Sequence, residues 1–546
     1  MHPQGTNSPT FTGGPVDGSL TIPQLIELQL EQSPKHLAFI YDDPNGDIVS
    51  IAISQYALTV RAAAKRFLRD NAPQGADGKP TVVGLLANTD SLSFFSMCAG
   101  VMRAGMHPFN ISPRNSASSL AHLLKETNAV AVYVTGDLRP LVSEALAIHG
   151  GSLRVFDFST FESMQGELDA AARESLPPPP AVLDSTAVVL HSSGSTSTLS
   201  TPLYVSHRLL LQYANTPLYS NEDRCGQILG SHTLPTFHAT GLFLQSWPFT
   251  SGLTIAVPRP AVPYTHPTAA DATKAMLATK PDLVTSTPSY IESWSEDPTA
   301  IKVLQSLKGL QFVGAMLSKR VGDALISQGV VLSSGYGSME IGVITPFFEF
   351  HGKDWEYVSF REGIDFVTLP EDNESGLYTH TYLVGPQFTT ALTNSEIDRR
   401  KGCAISDLLQ RHPEKPHWHR VYGRKDDLIT FYSGFSMNPV PVEAQLNRNP
   451  FVESSVVFGH LKSNPGIIVQ LRPAFRSNNE KREEILESIW AAVHIMNKES
   501  PTHCRIPKEC IILANPAKPF SLTSKSQPRR RVVVEQYRVE IDSVYN

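Results

Sequence analysis

Directly after an apolar run at 186–190 the chain reads His191-Ser-Ser-Gly-Ser-Thr-Ser-Thr-Leu-Ser-Thr-Pro202, a loop rich in hydroxyls around one glycine. Successive backbone N–H groups in such a loop can wrap an anion such as phosphate. Taken alone the segment also reads as a flexible linker, and it is not the G-x-x-x-x-G-K-[ST] phosphate loop. Four further segments give it context: Leu234-Pro-Thr-Phe-His-Ala-Thr-Gly241, Val313-Gly-Ala-Met316, Gly335-Tyr-Gly-Ser-Met-Glu340, and Ser406-Asp-Leu408 followed by Tyr422-Gly-Arg-Lys-Asp-Asp-Leu428. The stretch from Gly335 to Gly342 lacks the G-x-G-x-x-G spacing of a dinucleotide loop. Five cysteines, Cys98, Cys225, Cys403, Cys504 and Cys510, form neither C-x-x-C pairs nor metal-ligand spacing, which fits a reduced, intracellular setting.

The elements that must position these residues are legible from periodicity. Residues 20–42 read as a helix leading into a strand. The runs 81–87, 106–111 and 129–134 read as strands, with helices at 91–104 and 118–126 between them. Such alternation predicts a parallel sheet covered on both faces. The prolines 177–180 make a stiff connector into the strand 186–190. Short apolar runs at 253–257, 283–285, 310–313 and 330–332, with helices at 268–278 and 318–327, continue the pattern. Polar and apolar residues mostly alternate over 355–360, 364–369 and 377–382, as antiparallel strands require. Beyond Gly423 come a strand at 427–430, a helix at 440–446, strands at 455–459 and 466–471, a helix at 480–497 and a strand at 509–513.

The five ordered motifs resemble those of the adenylate-forming superfamily, which includes acyl-CoA ligases, luciferases and the adenylation domains of peptide synthetases. Within it the chain looks most like the adenylation domain of fungal peptide-synthetase-like carboxylic acid reductases, through His-Ser-Ser-Gly-Ser-Thr at 191–196, Ser406-Asp-Leu-Leu-Gln-Arg-His-Pro413, and Lys518-Pro-Phe520 ahead of Lys525. The resemblance implies an α/β fold: a large N-terminal domain of stacked α/β sheets plus a small β-rich part, with a small mobile α+β C-terminal domain. The expected units are a disordered lead-in at 1–19, a core domain at 20–424 and a lid at 425–546.

The same resemblance assigns roles. Ser193, Gly194, Ser195 and Thr196 would hold the β- and γ-phosphates of ATP, and Glu340 would ligate Mg²⁺, a hard cation suited to carboxylate and phosphate oxygens. Tyr336 would lie against adenine, opposite Gly314 and Ala315. Asp407 would accept the ribose hydroxyls, with Arg424 supporting ribose or phosphate. His238 would stand beside the acyl carboxylate, Asp426 would be the hinge, and Lys525 would bridge carboxylate and α-phosphate during adenylation. Phe237, His238, Thr285, Ser334 and Gly335 would border the substrate pocket. Arg529, Arg530 and Arg531 read as a solvated charged terminus.

Three departures fall at ATP contacts. Ser197 replaces the loop's usual glycine and Leu203 its lysine, Met339 stands for the usual threonine, and Ser526-Gln527 follow the late lysine in place of Gly-Thr. Glu340, Asp407, Arg424, Asp426 and Lys525 remain, so an adenylate-forming, acid–thiol-ligase-type enzyme is the expected reading. An adenylation-fold binding module with impaired ATP chemistry is the alternative. No acidic residue lies in 237–243, where amino-acid-activating relatives hold the substrate ammonium, which predicts an aryl or aliphatic acid. The acceptor is the phosphopantetheine of a carrier domain or free CoA. The chain ends soon after Lys525, which leaves an excised adenylation domain, a stand-alone enzyme or an acyl-CoA ligase, and not a whole reductase.

The bulk numbers agree with this and add little. With 546 residues and 41% hydrophobic content the chain is globular and could hold three or four domains. A formal charge of −6 gives no support to a nucleic-acid or membrane binder. No apolar run approaches the ~18–20 residues of a membrane span, and no signal peptide or peroxisomal tail is present, so a cytoplasmic location is expected.

Overall fold

The computed structural model describes residues 1–15, 17–71, 81–167, 175–191, 200–371, 376–432, 436–476, 481–523 and 527–545. The apolar runs become strands buried on both faces; every residue of Val82–Leu86 and Ala131–Val134 is buried. They belong to a six-stranded sheet in the order Arg154–Asp157, Ala131–Val134, Val82–Leu86, His107–Ile111, Thr186–His191, Pro202–Ser206. Its neighbours are parallel except for the last pair, which is antiparallel. A second sheet of seven strands runs Leu332–Gly335, Gly309–Val313, Leu283–Ser286, Ile228–Gly230, Thr254–Ala256, Leu37–Asp42, Ile48–Ala52. It too is parallel up to an antiparallel edge.

One core joins the two sheets through the helices Ile53–Asp70, Ser91–Arg103 and Ala239–Ser251, which makes the large unit a stack of α and β layers. Helix starts are fixed by capping: Asp90 accepts the Ser93 N–H at 2.9 Å and the Ser206 hydroxyl accepts that of Leu209 at 3.2 Å. An antiparallel sheet follows, in the order Ser395–Ile397, Arg400–Ala404, Leu377–Leu383, Asp407–Arg411, His419–Arg424, with Asp365–Pro370 also paired to Leu377–Leu383. After a single helical turn at Lys425–Asp427 comes a smaller unit with its own core, built on Val452–Phe458, Gly466–Leu471 and Ile511–Leu513 and the helices Val440–Leu446 and Arg482–Glu499. No helix among the described residues is long and apolar enough to cross a membrane.

Three expectations are corrected. The lead-in is packed rather than disordered: Phe11 is 2% exposed with its ring 5.1 Å from that of His36, and the Gly5 N–H reaches Asp223 at 3.0 Å. One buried aromatic outweighs a Pro- and Gly-rich composition there. The segment 355–360 contributes only an isolated bridge, Val358 to His419, because Trp355 is buried against Gly322 of the helix Lys319–Ser327 rather than pleated into a sheet. Arg530 is mostly withdrawn from solvent, its side chain 16% exposed. It forms a partly buried pair with Glu443, donating Nη2 to Oε2 at 2.7 Å, and so ties the helix Arg530–Gln536 to Val440–Leu446.

Candidate functional site

In parallel α/β sheets ligands bind beyond the carboxyl ends of the strands. Here register brings several of the expected residues to those ends. Thr285 pairs with Gln311, Phe312 with Ser334, and Val313 with Gly335. Gly314 and Ala315 therefore leave the sheet beside Tyr336. Gly314 has φ +84°, a conformation that favours glycine, and both it and Ala315 are exposed. A Cβ on Gly335 would stand 2.8 Å from Val313 Cγ1, so the wall there closes only with glycine.

Asp407 and Arg424 face each other as Cα partners across two antiparallel strands. Arg424 Nε lies 4.0 Å from Asp407 Oδ1, and its Nη2 lies 3.4 Å from Asp426 Oδ2. Tyr336 donates its hydroxyl to Asp407 Oδ2 at 2.8 Å. Tyr336 is 8% exposed and sits in the core of the antiparallel sheet; burial first, then the Asp407 charge, pushes its pKa well up. That hydrogen bond ties the Tyr336 side chain to the Asp407 carboxylate. Burial opposes the charge of Arg424, yet the carboxylates of Asp407, Asp426, Asp427 and Glu340 outweigh it and raise the guanidinium pKa.

Glu340 is positioned by residues that sequence reasoning missed. Tyr213 donates its hydroxyl to the Met339 carbonyl at 2.8 Å, and Gln212 Nε2 donates to that of Ile341 at 3.3 Å. Both lie on the helix His207–Ala214, which follows the strand Pro202–Ser206. Gln212 Oε1 also accepts the Thr389 N–H at 3.0 Å. The signal was a Gln-Tyr pair on the first helix after the hydroxyl-rich loop. Burial and then the Glu340 charge raise the pKa of both Tyr213 and Cys403, which places that charge beside them. Among the described residues no group of three or more His, Cys, Asp or Glu could hold a metal. A lone carboxylate fits Mg²⁺ carried by nucleotide phosphates and does not fit a protein-caged ion.

Of the residues expected to border the acid, Phe237, His238 and Thr285 are buried, and Ser334 and Gly335 are half-buried. His238 precedes the helix Ala239–Ser251, is 7% exposed and has its ring 4.7 Å from that of Phe237, which is 4% exposed. Thr285 is buried, and its hydroxyl has no hydrogen-bond partner among the described residues. Gln311, also buried, shares the sheet with it and was not anticipated. Burial depresses the pKa of nearby His232 to about 4. The hinge candidate Asp426 lies in the Lys425–Asp427 turn, anchored by the Lys425 N–H to the Ser406 carbonyl at 2.7 Å. Ser193, Gly194, Ser195, Thr196 and Lys525 lie outside the described residues.

The family model for the AMP-binding enzyme matches residues 26–361, and that for the AMP-binding enzyme C-terminal domain matches residues 426–546. The chain belongs to the AMP-binding enzyme family. Among curated proteins it is 33% identical to adenylate-forming reductase Nps10 of Heterobasidion annosum, over 99% of this chain and 51% of that protein. It is 30% identical to adenylate-forming reductase Nps11 of Serpula lacrymans var. lacrymans, over 97% of this chain and 50% of that protein. The AMP-binding enzyme thus spans about half the length of these relatives. Its fold is shared with the adenylation domain of the carboxylate reductase from Mycobacterium chelonae, at a TM-score of 0.74 and 14% identity over 97% of this chain and 92% of that one. It is shared equally with the corresponding domain of the carboxylic acid reductase from Segniliparus rugosus in complex with AMP and a co-purified carboxylic acid, at a TM-score of 0.72 and 14% identity over 96% and 94% of the two chains. At such identities the likeness is one of fold.

Proposed function

We propose that the enzyme condenses a carboxylic acid lacking an α-ammonium with ATP to an acyl-adenylate, and then transfers the acyl group to a phosphopantetheine thiol. In the first step a carboxylate oxygen attacks the α-phosphorus, the bond to the β-phosphate oxygen breaks, and pyrophosphate leaves. In the second the thiol sulfur replaces AMP at the acyl carbon and gives up its proton. The reading rests above all on one observation: the Asp407–Arg424 cross-strand pair, braced by Tyr336, stands within electrostatic reach of Glu340. Phosphoryl chemistry of this kind is mostly positioning and charge stabilisation.

In this reading Asp407 takes the ribose hydroxyls, Arg424 supports ribose or phosphate, and Gly314 and Ala315 leave space for the base. Glu340 would hold Mg²⁺, which neutralises phosphate charge when bound. Ser193, Gly194, Ser195 and Thr196 wrap the outer phosphates, Lys525 meets the α-phosphate, and Asp426 serves as the hinge between activation and transfer. His238, Phe237, Thr285, Ser334 and Gly335 border the acid. We place the enzyme in the cytoplasm, in keeping with five unpaired cysteines.

Acid-dependent exchange of pyrophosphate into ATP, run over a panel of aryl, aliphatic and amino acids, tests the proposal. Exchange with non-amino acids is expected. No exchange with any acid, together with no ATP-induced rise in Tm, would overturn it and leave an adenylation-fold binding module. Thioester formation with free CoA would mark an acyl-CoA ligase; formation only with a pantetheinylated carrier would mark an adenylation unit.

A further inference from the structure

Four elements of the large unit bring polar side chains together at a point where the surrounding core is hydrocarbon. Tyr56 comes from the helix Ile53–Asp70, Cys98 from Ser91–Arg103, Asn110 from the strand His107–Ile111 and Gln245 from the helix Ala239–Ser251. Their exposures are 0, 1, 1 and 2%. Cys98 is the hub: Gln245 Nε2 donates to its Sγ at 3.8 Å, the Asn110 amide lies near enough to counter the effect of burial on the thiol, and Tyr56 feels its charge. Yet Asn110 Nδ2, Asn110 Oδ1, Gln245 Oε1 and the Tyr56 hydroxyl have no hydrogen-bond partner among the described residues. Buried polar atoms are nearly always satisfied, so four orphans around one sulfur point to a ligand or to water.

The placement favours a ligand. Gln245 lies seven positions beyond His238, which precedes the same helix. That is about two turns, on nearly the same face and about 10 Å deeper. The cluster holds no charged side chain and burial raises the Cys98 thiol to about 11, so an ionised partner would meet uncompensated desolvation. We propose that Asn110, Gln245, Tyr56 and Cys98 recognise a neutral hydrogen-bonding group, such as a hydroxyl, at the far end of the acyl substrate, about 10 Å from its carboxylate. This rests on the acid-activation reading above and narrows its substrate class to long or para-substituted acids with a neutral polar terminus.

Matched acids test it: 8-hydroxyoctanoate against nonanoate, and 4-hydroxycinnamate against 4-methylcinnamate, read by pyrophosphate exchange and by the acid-induced shift in Tm without ATP. A site built to bond a hydroxyl should favour the hydroxy acid by at least ~10²-fold in kcat/KM. Asn110→Leu and Gln245→Leu should erase or invert that preference while leaving ATP binding unchanged. Equal kcat/KM and equal Tm shifts within each pair would overturn the proposal, as would variants that keep the wild-type preference; the orphans would then serve buried water alone. Differing Tm shifts without exchange for any acid would instead sink the adenylation reading and keep the pocket.

Discussion

The two halves of the candidate site, proposed above to meet the nucleotide and the acid, are built in opposite ways. On the antiparallel sheet, Asp407, Arg424 and Asp426 are charged, partly solvated and paired with one another, with Arg424 45% exposed. Between and on the parallel sheets, Thr285, Tyr56, Asn110 and Gln245 are uncharged, buried and carry atoms without a partner among the described residues. A polyanion that arrives hydrated can be met by charges that remain in water. An apolar acid can be read only by shape and by a few hydrogen bonds made in its absence by nothing else. The first half is therefore expected to govern rate, and the second selectivity.

The comparison can be broken most sharply at Lys525. Lys525→Ala should cut pyrophosphate exchange ~10²–10³-fold with any acid, with Tm unchanged; a loss that differs between acids would merge the two halves. Next comes acid sensitivity, which both halves share, since burial also depresses His380 and His419 of the antiparallel sheet to about 3 and about 4. His232 has a pKa depressed from the ordinary 6.5 to about 4, so the unfolded chain takes up its proton first as pH falls. Its contribution is intact above pH 6.5 and is lost progressively toward pH 4, a span worth roughly 3 kcal/mol. His232→Phe should flatten the fall of Tm over that window, and an unchanged slope would refute the assignment. A smaller effect is expected at Tyr336→Phe, which strips one hydrogen bond from a carboxylate: KM for ATP should rise about tenfold, near 1.5 kcal/mol, with kcat little altered. Smallest is Thr285→Val. It removes a hydroxyl without a partner among the described residues, so thermal unfolding should shift by less than about 1 kcal/mol equivalent, in the stabilising direction.

Much of this architecture was legible because parallel strands announce themselves as short apolar runs. The strands at Val82–Leu86, Ala131–Val134 and Leu283–Ser286 fall where periodicity placed them. The failures have separate causes. The helix Ile53–Asp70 carries its apolar residues at helical spacing, Ile53, Tyr56, Ala57, Val60 and Phe67, a pattern present in the sequence and absent from the expectations above. At 355–360 the alternation was real but came from Trp355 burying against a helix, a tertiary contact that no local pattern encodes. The packed N-terminus depends on contacts more than 200 positions away in sequence, such as Gly5 with Asp223. Of the site, motif residues were legible individually; that Tyr336 braces Asp407, and that Tyr213 and Gln212 brace the Glu340 loop, required the fold.

The Gln212 side chain has a further consequence. With one amide it joins a helix to two distant loops, at Ile341 and Thr389. The backbone just after Glu340 and the segment at Thr389 are thereby pinned to one helix by a single side chain, and the Ala391 N–H closes the same junction by donating to the Glu340 carbonyl at 2.7 Å. The position of that carboxylate is in this sense a property of three segments far apart in sequence, so a change in any one of them reaches the other two.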